Sequence, residues 1–128
     1  MSYTFDKTLD ISIEDAIAKT KDALAEAGFG VLTEIDVQST MKKKLDEQMG
    51  GYVILGACHP PSAWRALQAE KKIGTMLPCN VIVREREDGQ VEVSAIDPMA
   101  SMQAVDNETL GAVAKEVRDS LQRVVAAL

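Results

Sequence analysis

Cys79-Asn80-Val81-Ile82-Val83-Arg84-Glu85-Arg86-Glu87, then Asp88-Gly89, then Gln90-Val91-Glu92-Val93-Ser94-Ala95-Ile96-Asp97: this stretch decides the fold of the chain. Both runs alternate apolar and polar side chains at the period-2 spacing of a strand with one buried face. The Asp-Gly pair between them suits a tight hairpin, because glycine accepts the positive φ that such a turn requires. Two adjacent antiparallel strands follow. Without this pair, the strand–helix alternation upstream would suggest a parallel sheet; with it, a mixed or mostly antiparallel sheet is expected.

Working back from the hairpin, Tyr52 to Ala57 is nearly all apolar, which predicts a central strand covered on both faces. A short helix from Ser62 to about Lys71 follows Pro60-Pro61, since proline has no amide hydrogen to lose at a helix start. Phe29 to Ile35 reads as another strand. Asp36 is placed to cap a helix carrying Val37, Met41, Leu45 and Met49 on one stripe, with Gly50-Gly51 as its stop. Tyr3 to Leu9 alternates as an opening strand, and Ser12 caps a helix that Gly28 ends. Beyond the hairpin, Asp97-Pro98 closes the second strand and Met99 to Asn107 reads as a loop. Asn107 caps a last helix whose stripe runs through Leu110, Val113, Ala114, Val117, Leu121, Val124 and Leu128. The order is β-α-β-α-β-α-β-β-α, a two-layer α+β arrangement in a single domain spanning 1–128.

A chain of 128 residues, 46% hydrophobic, is long enough to bury one core. Its formal charge of −6 argues against a nucleic-acid surface, which would need lysines and arginines to displace phosphate counterions. The one basic block, Lys42-Lys43-Lys44, is flanked by Asp46 and Glu47 and reads as a solvated helix face. No stretch approaches the ~18 to 20 apolar residues of a membrane helix. Nor does the N-terminus carry a basic segment followed by an apolar core, so a cytoplasmic protein without membrane contact is expected.

The two cysteines stand in similar settings, Gly56-Ala57-Cys58-His59-Pro60-Pro61 and Leu77-Pro78-Cys79-Asn80, each at a strand end beside a proline. If those strands are antiparallel neighbours, both thiols fall at the same end of the sheet. Three chemistries compete there. A metal site gains little support: structural zinc ligands come in pairs about two to four residues apart, and adjacent Cys58 and His59 on a strand point to opposite faces. Thiol redox or group transfer needs a lowered thiol pKa, and Arg65 or a helix start near Cys58 could supply it. Two small buried hydrophobes explain the cysteines without any chemistry. Trp64, the sole tryptophan, is placed to close a pocket or an interface, and Met99 and Met102 to line the same region. The leading expectation is a pocket for a small ligand formed by Cys58, His59, Trp64, Cys79 and Asn80, with no metal and no assignable cofactor. A homodimer is expected through a sheet edge or around Trp64.

The motifs Glu34-Ile35-Asp36-Val37, Tyr52 to Cys58, Ile73-Gly74, Leu77-Pro78-Cys79-Asn80-Val81 and Asp97-Pro98 together resemble the family catalogued as domain of unknown function 302, across nearly the whole chain. That resemblance implies a curved, mostly antiparallel sheet with helices on one side, similar to the TATA-binding-protein-like arrangement, and homodimers. It implies no reaction. The family pattern places asparagine after its first cysteine, as Asn80 follows the second here, so His59 is a departure and the weight shifts to Cys58 and Cys79.

Overall fold

A computed structural model describes residues 2–128. The hairpin forms as its sequence requires: β4 (Cys79–Glu85) and β5 (Val91–Ile96) pair antiparallel, Val83 opposite Val93, and Gly89 takes φ +86 at the turn. Around them lie β1 (Thr4–Leu9), β2 (Gly30–Asp36) and β3 (Tyr52–Cys58), in the sheet order β1-β5-β4-β3-β2. Every neighbouring pair is antiparallel.

Strand alternation sorts the residues by face. Phe5, Ala95, Val81 and Leu55 line up across the sheet, Val93, Val83 and Val53 form the next row on the same face, and α1 (Ile13–Glu26) and α5 (Glu108–Ala126) cover them. All helices pack on this side. The stripe of α5 is buried at Leu110, Val113, Ala114, Val117, Leu121 and Val124, and Asn107 caps the helix by accepting the Leu110 amide at 3.1 Å. Ser12 likewise accepts the Asp15 amide at 3.1 Å to start α1.

Four details differ from the sequence-based expectation. First, β4 occupies the middle of the sheet; β3 is its inner neighbour and is not covered on both faces, since Tyr52 and Ile54 turn to the helix-free side and stay half-buried. Second, α2 (Val37–Leu45) is capped by Asp36 but ends before Gly50-Gly51, at Asp46 with φ 55. None of its residues is buried, so no packing carries the helix on to Met49. Third, α3 (Pro60–Ala69) takes in both prolines, and His59 stands at its cap position without a side-chain cap bond. Fourth, two further turns are helical: a 3-10 segment at Lys71–Met76 and α4 (Pro98–Ser101), started by Asp97 Oδ1 accepting the Met99 amide at 2.9 Å.

The alternating directions bring the start of β1, β2 and β4 and the end of β3 and β5 to one end of the sheet. Cys58 and Cys79 both lie there, because Cys79 pairs with Ala57, the residue before Cys58.

Candidate functional site

At this end α3 leans on α5 and leaves a cavity of ≈ 320 Å³ over the strand ends. Its roof is made of short side chains, Ala63 and Ala66 from α3 and Ala114 from α5, and the space exists because these alanines do not fill it. Phe29, Ala57 and Cys79 form the floor. The two unforeseen turns close its sides through Gly74 and through Pro98 and Met102. Leu32 enters by a β-bulge: Val31 pairs with Ala57 and Thr33 with Gly56, so Leu32 is the extra residue and is re-aimed, 66% exposed, to the rim.

No lining residue carries a carboxylate, ammonium or guanidinium group. The polar groups are His59, Ser62 and the two thiols. His59 Nδ1 and Ser62 Oγ share a hydrogen bond of 2.8 Å, and the imidazole leans on Phe29 with ring centres 5.5 Å apart. Gly28, at φ +86, keeps the ring's other edge uncrowded: a Cβ there would stand 3.2 Å from His59 Cδ2 and 3.4 Å from Nε2. Two charged pairs adjoin lining residues: Arg118 meets Asp97 at 3.3 Å, and Arg65 with Glu116 bridges α3 and α5 at the exposed surface, where the guanidinium holds the Glu116 carboxyl below its usual range.

Both cysteines are free and both residues border the cavity, with different characters. Cys79 is buried, and burial, with a smaller contribution from the Cys58 thiol, pushes its pKa up to about 11. It is a protonated, apolar wall at neutral pH. Cys58 is half-exposed; it lies one position past Cys79's partner, so strand alternation starts the two side chains on opposite faces of the sheet.

The expected site residues therefore divide. Cys58, His59 and Cys79 come together, but Asn80 and Trp64 do not join them. Asn80 pairs with Gly56 on the helix-free face and is exposed. Trp64 projects from α3, 66% exposed, beside a shallow groove with Gln68 and Asn107. Of the two methionines, Met102 lines the cavity at 8% exposure and Met99 does not. Among the described residues no cluster of three or more histidine, cysteine or acidic side chains is arranged to hold a metal ion.

Residues 5–128 match the family described as "Domain of unknown function DUF302". The chain belongs to this family. The crystal structure of an uncharacterized conserved DUF302 protein from Bacillus stearothermophilus has the same fold, with a TM-score of 0.91 over 98% of each chain at 21% identity. Comparison with curated proteins gives no match.

In this DUF302 chain Ala114 was read as part of the apolar stripe of α5, and the role of the α3 and α5 alanines in leaving a cavity was not foreseen. Their signal was present: Ala63 and Ala66 on one helix and Ala114 on another place the smallest side chains at a helix crossing, which leaves a gap unless a large residue fills it. Asp97-Pro98, read as a strand end, also carries a helix-start signature, a capping aspartate followed by proline.

Proposed function

We propose that this DUF302 chain is a binding domain for a small apolar molecule held at the Cys58/Cys79 end of the sheet. The cavity supports this reading. At ≈ 320 Å³ it falls within the roughly 300 to 1,000 Å³ range of small-molecule sites, and it combines an apolar lining with one placed polar pair, His59 and Ser62.

A thiol reaction is the second reading, and Cys79 weakens it. The nucleophile in such chemistry is the thiolate, and a thiol held protonated to about pH 11 supplies almost none at neutral pH. Thiol chemistry would rest on Cys58 alone. We further propose a homodimer in a reducing compartment, where both thiols persist unpaired and the exposed Trp64 has a partner surface.

A thermal-shift screen of the protein against small molecules tests the binding reading. Apolar compounds of cavity size are expected to raise the melting temperature by several degrees, and Ala63→Phe, which fills the roof from a half-exposed position, is expected to abolish that rise. A screen in which no apolar compound stabilises the protein, or in which Ala63→Phe changes nothing, would remove this reading.

A further inference from the structure

We infer that the cavity selects an uncharged molecule of about a dozen non-hydrogen atoms carrying a single hydroxyl group; this rests on the binding reading above and narrows it. Size follows from scale. An apolar cavity of about 150 Å³ holds benzene, so ≈ 320 Å³ holds roughly twice that content.

Charge follows from the lining. An ionised group brought into the cavity meets no opposite charge there, and transferring an unpaired charge out of water is the costliest form of desolvation. The cations next in sequence to lining residues, Arg65 and Arg118, are already engaged by Glu116 and Asp97. A net charge of −6 further disfavours an anion. Among the described residues every fully buried side-chain nitrogen and oxygen has a partner, which leaves the accessible Nε2 of His59 as the unpartnered ring nitrogen among the lining residues.

The hydroxyl follows from His59. Nδ1 is committed to Ser62, and Nε2 has no hydrogen-bond partner among the described residues. If Ser62 donates to Nδ1, Nε2 carries the proton and donates; if Nδ1 donates to Ser62, Nε2 accepts. A hydroxyl, both donor and acceptor, matches either tautomer. A carboxylate only accepts, and an ammonium only donates.

Three ligands with the same chain separate head group from cavity: 1-decanol, decanoate and decylammonium, titrated at pH 8 into the intact protein and into Ala63→Phe and His59→Phe, with amide NMR shifts at Ala63, Ala66 and Ala114 as the readout. The expected result is saturable binding of 1-decanol that Ala63→Phe abolishes. The two ions should bind at least tenfold more weakly, and His59→Phe should weaken 1-decanol about fivefold, the weight of one neutral hydrogen bond. Decanoate or decylammonium binding as tightly as the alcohol, still blocked by Ala63→Phe, would overturn the selectivity and leave the site. If none of the three binds, the site reading falls with it.

Discussion

A single buried thiol gives the site a pH signature. Cys79 ionises near 9.0 in an unfolded chain and near 11 in the folded one, with burial as the main cause. Between those values the folded state holds the proton more tightly, so this contribution to stability is complete below pH 9 and is lost as pH rises through 11. The loss amounts to roughly 2 to 3 kcal/mol, at about 1.4 kcal/mol per pKa unit. Replacing Cys79 by Ala removes that dependence: the stability difference between wild type and Cys79→Ala, measured by urea unfolding, is expected to shrink by about that amount from pH 8 to pH 11. A difference independent of pH would show that the thiol is not held in a desolvated wall. Gly56 makes a second residue-scale case. A Cβ there would stand 2.1 Å from Thr33 Oγ1 and 2.7 Å from Pro78 Cγ, the proline that leads into Cys79. Gly56→Ala should destabilise the protein by about 1 to 3 kcal/mol through overpacking. Adding Thr33→Ala, which removes the closer of the two atoms, should recover part of it in the same unfolding assay. Neither clash was legible in the sequence, because each comes from a neighbouring strand or loop rather than from nearby residues.

Elements were legible where their pattern had a partner to pack on. The stripe of α5 was visible in the sequence because seven residues of that helix are buried, and a helix face so consistently apolar has one place to go. The stripe of α2 looked similar over Val37, Met41, Leu45 and Met49, yet the helix ends at Leu45 and buries nothing. Its end is marked by Asp46 in the left-handed region, a conformation expected of glycine and less often visited by aspartate, so the sequence pointed to Gly50-Gly51 instead. The two helices should respond differently to the same truncation. Leu121→Ala, at 0% exposure, is expected to cost about 2 to 5 kcal/mol, and Leu45→Ala, at 66% exposure, under about 0.5 kcal/mol. Chemical denaturation of both variants checks this, and equal losses would mean that α2 packs far more tightly than its exposure indicates. The turns around the cavity were the least legible elements. Met102 was expected at this end and does line the cavity, but Ile73 and Pro98 belong to no periodic apolar stripe, and only the tertiary fold buries them there.

At the scale of the whole molecule, the hairpin carried the antiparallel sheet, and the helices' apolar faces carried the two layers. What did not follow was the helix-free face. The apolar run of β3 suggested cover on both sides, whereas Tyr52 and Ile54, with Ile82 from β4 and the 48% exposed Ile35 from β2, share a face that no helix covers. An apolar run distinguishes a buried strand from a polar one, but not cover by the protein's own helices from cover by another molecule. Two surfaces thus stand available to a second copy of the chain, this face and the Trp64 side of α3. Interface energy concentrates in large aromatic anchors, and Trp64 at 66% exposure is more open than the apolar residues of the sheet face, Ile35 at 48% and the half-buried Tyr52, Ile54 and Ile82. The expected state is therefore a homodimer at micromolar concentration, joined through α3. Light scattering should give twice the chain mass for wild type, a shift to the single mass for Trp64→Ala, and no change for Ile54→Lys. The reverse pattern, with Ile54→Lys separating the copies, would move the contact to the open sheet face. A single mass for the wild-type chain would mean that neither surface is used between copies.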